Sequence, residues 1–413
     1  MKGILVIIDG LGDLPNEKLN GKTPLEAAKK ENLDYLASRG KLGFMYTINE
    51  DVAPESDSAV LAILGNNLIG SFRGYFESLG FGLDLKRGDL ALRTNFATID
   101  NLKNKKVIDR RAGRTLTTRE ASILAGAINK QVKLPCKFIF KNTIQHRGVL
   151  ILRGGFSDNI TNTDPAYHIK GKYKYAETFK FSQPLDEDEN TDYTSDLINS
   201  FVEQSFKILE EHPVNKERKK KGLMPANIIF TRDASTNIPL SKNFNKFAAI
   251  AYMPLEIGIA KASGMKIFSF PYPEMKNYDT YDNLQEGLKE ACKFSIKTID
   301  KEAKNYNYFY LHFKETDVPG HDNKPIEKRN MIELIDREFF LFLKKFAEKN
   351  KIKVLVTADH STPCKLKSHS SDPVPVLLCD WGKEEKKEFS EKQARKGKLG
   401  KIYGKDVLKL LVD

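Results

Sequence analysis

Residues 4–8 (ILVII) form an unbroken run of branched apolar side chains, the pattern of a strand buried on both faces of a parallel sheet. The run stops at Asp9-Gly10, where a chain leaving a sheet would turn. Thr23-Pro24-Leu25-Glu26 then predicts a helix start, with Thr as N-cap, Pro in the first turn and Glu closing a capping box. The same grammar returns late in the chain. Residues 308–313 (YFYLHF) read as a strand, 325–349 as a helix with apolar residues at helical spacing, and 354–358 (VLVTA) as another buried strand. Residues 373–379 (PVPVLLC) read as a further strand whose prolines favour an edge or a start. Residues 227–230 and 266–270 read as strands around a helix near 256–263. Strands alternating with helices predict an α/β fold with a doubly wound core sheet.

The middle of the chain breaks this rhythm. It holds hairpin-like runs at 137–140 and 148–152, an acidic stretch at 186–190, and a basic cluster at 216–221 (KERKKK) that reads as a loop or a frayed helix end. A chain of 413 residues exceeds one ordinary core, so two domains are expected. We expect a discontinuous core domain of residues 1–72 and 226–413, interrupted by a smaller inserted α+β domain of residues 73–225. No fixed-period repeat is visible.

Composition narrows the class. With 40% hydrophobic and 30% charged residues the chain reads as globular and not disordered. No apolar run approaches bilayer-spanning length, and the N-terminus enters a strand directly, unlike a signal peptide. The four cysteines (Cys136, Cys292, Cys364, Cys379) form no CxxC pair, which suits a reducing cytoplasm. A net charge of +12 would suit an anionic partner, either a small phosphorylated substrate or nucleic acid. Dispersed lysine on solvated faces is the simpler reading, and 216–221 lacks aromatics for stacking bases. Neither a nucleic-acid nor a membrane partner is expected.

Three predicted strands deliver acidic or imidazole side chains at their C-terminal ends: Asp9, then Asp317 and His321, then Asp359 and His360, with His369 in the loop beyond. Strand C-termini are where open α/β sheets bind ligands. Carboxylate–imidazole sets suit Zn²⁺ or Mn²⁺, and six groups are enough for two ions, which can clamp both oxygens of a phosphoryl transfer. Singly, each Asp is a common turn residue and each His a common structural one. Three of the seven histidines just past strands and beside aspartates make the set more telling. His312, inside its strand, reads as a core histidine, and Cys364 as a small packing residue. For a nucleophile, Ser56 opens a helix-like stretch where backbone N–H groups and a metal could support a phosphorylated hydroxyl; a plain N-cap is the alternative. Gly10-Leu11-Gly12 lacks the third glycine of a dinucleotide fingerprint, and Gly21-Lys22-Thr23 lacks the first glycine of a phosphate-binding loop.

The stretches IIDGLGD (7–13), GKTPLEAA (21–28), DRRAGR (109–114), NTDP (162–165), KETDVPGHD (314–322), TADHSTPC (357–364), HSSDPVPVLL (369–378) and ARKGKL (394–399) resemble the archaeal-type, cofactor-independent phosphoglycerate mutases of the alkaline phosphatase superfamily. The resemblance runs nearly end to end. It implies an alkaline-phosphatase-like core, with Asp317, His321 and His369 holding one divalent ion and Asp9, Asp359 and His360 holding another with Ser56. The metal expected is Mn, with Mg, Co or Zn as alternatives, and no 2,3-bisphosphoglycerate is expected. The implied substrate is a small phosphorylated three-carbon acid: 3-phosphoglycerate passes its phosphoryl group to Ser56 and receives it back on the 2-hydroxyl. Arg110, Arg111, Arg114, His146 and Arg147, with Asp164, would bind that substrate, and Lys314 would contact phosphate. Departures fall on the substrate side: the family's G-S-D-T-x-H-L has Glu55 for Gly and Val60 for His, GRGPFEALG reads FRGYFESLG (72–80), an R-G-A segment reads Arg232-Asp233-Ala234, and a glycine-rich loop near 271–280 reads PYPEMKNYDT. Two other outcomes fit the same residues. One is a phosphatase or phosphodiesterase of the superfamily; the other is a non-catalytic member that binds anions.

Overall fold

The computed structural model describes residues 1–66, 70–169, 172–236, 238, 240, 243–273 and 280–413. The chain divides into two compact units, Met1–Gly70 with Lys170–Lys172 and Leu240–Asp413, and Ser71–Ile169 with Tyr173–Pro239.

The first unit is built on an eight-stranded mixed sheet in the order Lys266–Phe268, Phe247–Ile250, Tyr308–Phe313, Gly3–Ile8, Lys353–Thr357, Val374–Cys379, Gly40–Tyr46, Gly400–Tyr403. All run in one direction except Val374–Cys379. Every residue of Gly3–Ile8 is buried, as its continuous apolar run requires of a strand covered on both faces. The helix Pro24–Ala27 starts as predicted. Thr23 Oγ1 accepts from Glu26 N at 3.0 Å, and Glu26 Oε2 accepts from Thr23 N at 3.1 Å.

Val374–Cys379 has neighbours on both sides, so of the two placements its prolines favoured, an edge or a start, the start is the one observed. Pro375 is tolerated because it stands near the strand's start, where pairing to Lys353–Thr357 has not begun; that ladder opens at Leu377. The long C-terminal helix appears as Pro325–Ile335, a wide π turn Asp336–Phe340, and Leu341–Asn350. Within that turn, Asp336 takes hydrogen bonds from Asn32 N (3.2 Å), Asn32 Nδ2 (2.9 Å) and Leu33 N (2.8 Å). It thereby caps the helix Glu31–Ser38, whose own N-cap residue Lys30 makes no side-chain capping bond.

The second unit carries a five-stranded antiparallel sheet of Asp89–Ile99, Val107–Asp109, Lys137–Asn142, Arg147–Arg153 and Ile228–Ser235. Helices Thr118–Gln131 and Glu189–Glu210 pack on it over a core that includes Phe96, Phe140 and Phe201. The hairpin expected at 137–152 is present, and the unit is α+β. Its boundary differs from the expected one. Ile228–Ser235 pairs with Asp89–Ile99, so the unit extends to Pro239 and not to 225. A short apolar strand announces itself in sequence, but not which sheet it will join. Of the two placements expected for the basic run, a loop or a frayed helix end, it takes the helix end: it closes the formed helix Pro213–Lys220, with Lys221 at the C-cap. Lys216, Lys219 and Lys221 pair outward with Glu211, Glu210 and Glu217, while Arg218 turns inward and binds Glu120 at 3.1 Å. Among the described residues, no helix is long and apolar enough to cross a membrane.

Replacing Asp336 by Ala would strand two buried backbone donors, Asn32 N and Leu33 N, and leave Asn32 Nδ2 only its bond to the carbonyl of residue 336. We expect Asp336→Ala to lose about 2–4 kcal/mol in urea unfolding with the folded spectrum retained; a loss under about 0.5 kcal/mol would show that water replaces the carboxylate.

Candidate active site

In the first unit, Tyr308–Phe313, Gly3–Ile8 and Lys353–Thr357 are adjacent and in step, with Ile8 opposite Phe313 and Ile7 opposite Thr357. The residues that follow each strand therefore emerge side by side. Asp9 N still bonds to Phe313 O at 2.8 Å. Gly10 then turns with φ 60°, and a Cβ there would meet Thr362 Oγ1 at 2.6 Å and Asp317 Oδ1 at 2.7 Å. Only glycine combines that conformation with that clearance. The turn aims Gly10 N at Asp359 Oδ1 (3.1 Å), which also accepts from His360 N (3.0 Å).

All six Asp and His residues singled out in the sequence meet here. His321 Nε2 lies 3.2 Å from Asp317 Oδ2, and His369 Nε2 lies 3.7 Å from Asp317 Oδ1. His360 Nε2 is 3.3 Å from both Asp9 Oδ1 and Asp359 Oδ2, and its ring stacks on His369 with centroids 3.6 Å apart. The opposite ring nitrogens are engaged elsewhere: His321 Nδ1 with Lys367 O (3.1 Å), His369 Nδ1 with Pro54 O (2.9 Å), His360 Nδ1 with Thr362 Oγ1 (3.0 Å). Each imidazole thus presents Nε2 inward, as outer hydrogen bonds arrange for metal-binding histidines.

Ser56 Oγ sits 3.2 Å from His360 Nε2 and is buried. Ser56 is the first residue of the helix Ser56–Ile63, and Glu55 holds the N-cap position, so Ser56 is not the cap. Ser58 Oγ turns back to Glu55 O at 3.0 Å. Glu55 Oε1 stands 3.9 Å from His369 Nδ1, and Val60 is fully buried. Residues 274–279 of the altered 271–280 loop lie outside the described residues.

The donor set fits divalent ions. Asp9 Oδ1, Asp359 Oδ2 and His312 Nε2 are buried and receive no hydrogen bond, although each has a lone pair or proton to share. Burial first, and the charge of Asp359 second, push the Asp9 carboxyl well up, and burial raises Asp359. Asp317 goes the other way: burial would raise it, but His321 and then His369 and His360 hold it well below the usual range. Buried carboxylates in this state call for a cation. Two sets have ligand atoms close enough for one ion each, Asp317/His360/His369 and Asp9/His312/Asp359. His360 reaches toward either set. His312 is buried as expected, yet it faces Asp359 Oδ2 at 3.6 Å; alternation along a strand hides which inward side chain lies beside the site. Lys314 Nζ is ion-paired to Asp9 and, at 2.9 Å, to Glu256 Oε1. Glu256, in an apolar helix, carried no signal in the sequence.

A separate group in the second unit is cationic. Arg110 grips Asp164 with two hydrogen bonds of 2.5 and 2.6 Å, and Asn95 Nδ2 and Ala166 N take up the rest of that carboxylate. Asp164 therefore orients Arg110. Glu77 carries bonds or ion pairs from Arg73 (3.4 Å) and Arg93 (3.5 Å) and feels Arg147 and Arg232 as well. Burial would raise its carboxyl, and the four guanidiniums, Arg93 foremost, more than offset that. His146 is pushed down to about 2 by burial first and then by Arg147, Arg111, Arg93 and Arg110. Arg114 is exposed at the end of the turn Ala112–Arg114, and no hydrogen bond or ion pair among the described residues ties its side chain to this group. Arg73, Arg93 and Glu77 were missed because helix Arg73–Gly80 and strand Asp89–Ile99 bring them together only through tertiary packing. Guanidiniums outnumber the acids here, so the group suits an anion with planar oxygens.

A family model described as 2,3-bisphosphoglycerate-independent phosphoglycerate mutase matches residues 37–215. Bearers of that name include a Pyrococcus abyssi protein 39% identical over 100% of this chain and 97% of its own length. The chain belongs to this mutase family. A Thermococcus kodakarensis member is 37% identical over 100% of this chain and 97% of its own length. Among solved structures, a Pyrococcus horikoshii protein has a TM-score of 0.76 at 32% identity, covering 100% of this chain and 96% of that one. The cofactor-independent phosphoglycerate mutase from Thermoplasma acidophilum has a TM-score of 0.60 at 29% identity, covering 100% and 99%. The mixed-sheet α/β fold of this family member is therefore shared along its whole length.

The His146 environment has a pH consequence. Between its ordinary pKa near 6.5 and about 2, the unfolded chain binds a proton that the native chain refuses, so stability falls as pH drops below about 6.5. We expect His146→Leu to remove about 1 kcal/mol of the stability loss between pH 6.5 and 5.5, measured by urea unfolding. An identical loss in variant and wild type would contradict a neutral His146.

Proposed function

We propose that this chain is a cofactor-independent phosphoglycerate mutase that interconverts 3-phosphoglycerate and 2-phosphoglycerate through phosphorylated Ser56. What carries the reading is the Ser56 hydroxyl, buried 3.2 Å from His360 Nε2 beside the Asp9–Asp359 pair, in a chain that matches the family end to end. Asp317, His321 and His369 would hold one divalent ion. Asp9, Asp359 and His360 would hold the second together with Ser56 Oγ. Mn fits these ligands, and Mg, Co or Zn are the alternatives. When bound, such ions lower the pKa of the serine hydroxyl and offset charge on the group being transferred.

Ser56 Oγ attacks phosphorus, giving up its proton, as the bond from phosphorus to the 3-oxygen breaks and that oxygen takes a proton to become the 3-hydroxyl of glycerate. Glycerate turns. Its 2-hydroxyl then attacks phosphorus, the bond to Ser56 Oγ breaks, and the serine recovers a proton. Because the phosphoryl group waits on Ser56, no 2,3-bisphosphoglycerate is required. Lys314 contacts phosphate. Arg110, Arg111, Arg114 and Arg147 bind the carboxylate and phosphate, Asp164 keeps Arg110 aimed, and neutral His146 offers a hydrogen bond and no charge. On this reading the second unit is the substrate-binding domain, and the four free cysteines suit a cytoplasmic enzyme.

Ser56→Ala is expected to cut turnover by more than about 10³-fold with metal content unchanged, while Ser58→Ala stays within about tenfold of wild type. The reverse ranking would move the nucleophile to Ser58. In a coupled assay of 3-phosphoglycerate conversion, chelation is expected to abolish activity and added Mn²⁺ to restore it. Full activity after exhaustive chelation would refute the metal site, and free phosphate released at the rate of conversion would identify a phosphatase.

A further inference from the structure

We propose that Lys328 is a positioning residue for the metal ligands, stapling together the two loops that carry Asp9 and the Asp359–His360 pair. The inference rests on the reading that these residues hold metal. Lys328 lies on the helix Pro325–Ile335, outside the site, and is completely buried. Its ammonium has three protons and three acceptors: Asp13 Oδ2 at 2.8 Å, Thr362 O at 3.0 Å and Gly12 O at 3.2 Å. Gly12 and Asp13 belong to the loop opened by Asp9; Thr362 belongs to the loop opened by Asp359. Asp13 extends the staple by accepting from Cys364 N at 3.1 Å, and Thr362 N donates to Gly12 O at 3.0 Å.

The fixed Thr362 is what reaches the ligands. Its hydroxyl donates to Asp317 Oδ1 at 2.7 Å and lies 3.0 Å from His360 Nδ1. The Lys328 ammonium thus sets the backbone of a residue that orients one carboxylate and one imidazole, and through Gly12 it limits how far the Asp9 turn can drift. A wholly buried ion pair is a poor source of net stability, since apolar residues of similar volume commonly do as well or better. Its geometric effect is different in kind: both charges must meet in one arrangement, and that arrangement fixes the spacing of the two loops. Outer contacts of this sort govern affinity because they hold ligands in register before the ion arrives.

The test uses the full chain, stripped of metal and titrated with Mn²⁺ by calorimetry and by electron paramagnetic resonance. Lys328→Met leaves Asp13 buried and unpaired, so the double variant Asp13→Leu with Lys328→Met is measured beside it. The double variant is expected to melt within about 5 °C of wild type. It is also expected to bind Mn²⁺ about 10–100-fold more weakly, with a broadened resonance that reports a looser ligand set. Unchanged Mn²⁺ affinity and line shape in a folded variant would overturn the proposal. Wild-type chain that takes up no Mn²⁺ would overturn the metal reading itself, and this inference with it.

Discussion

Like charges cannot be buried side by side without a counter-charge, and the first unit is arranged around that constraint. Asp9 and Asp359 leave neighbouring parallel strands in step, so the sheet itself forces their carboxylates together in a place water does not reach. Their surroundings only partly answer the repulsion. Lys314 takes one oxygen of Asp9, two backbone amides take one oxygen of Asp359, and the remaining oxygens point at His360 with nothing donating to them. Every other feature of the site follows from leaving that deficit open. The histidines have their outer nitrogens engaged so that the inner ones stay available, and the serine hydroxyl is seated 3.2 Å from one of those inner nitrogens.

The second unit poses the opposite problem. Arginines 73, 93, 147 and 232 gather about Glu77, and Arg110 is locked to Asp164, so positive charge exceeds what the local acids can balance. Burial first, and that excess of positive charge second, keep His146 neutral far below its ordinary range. One unit therefore holds a surplus of lone pairs and the other a surplus of donors. A phosphorylated acid and its divalent ions are the two kinds of species that relieve them.

The first unit was largely legible because its chemistry sits where local pattern stops: an apolar run ends, and the next side chain is an acid. Asp9, Asp359 and His360 announce themselves in that way. His312 does not, because position within a strand tells the face and not the neighbour on it. Glu256 on an apolar helix and Lys328 on a mixed one carried no signal of their own, and only the packing of those helices against strand ends reveals their partners. The strand Ile228–Ser235 was recognised, but its sheet was not, since its apolar run would suit either sheet. In the second unit the DRRAGR segment and the His146-Arg147 pair were readable as cationic, yet the arrangement around Glu77 joins a helix, two strands and a strand end that no sequence spacing connects.

The reversed strand Val374–Cys379 has a consequence for how the site is assembled. A parallel connection would have carried the chain back to the opposite end of the strands before the next one began. Because this strand runs backwards, everything between Thr357 and Val374 stays at one end of the strands, and Asp359, His360, Thr362 and His369 are all contributed by a single excursion of the backbone. The ladder that pairs Val354 with Cys379 and Val356 with Leu377 is then a ruler: slipping it by one residue would turn the strand's faces over and displace His369 relative to the aspartate it serves.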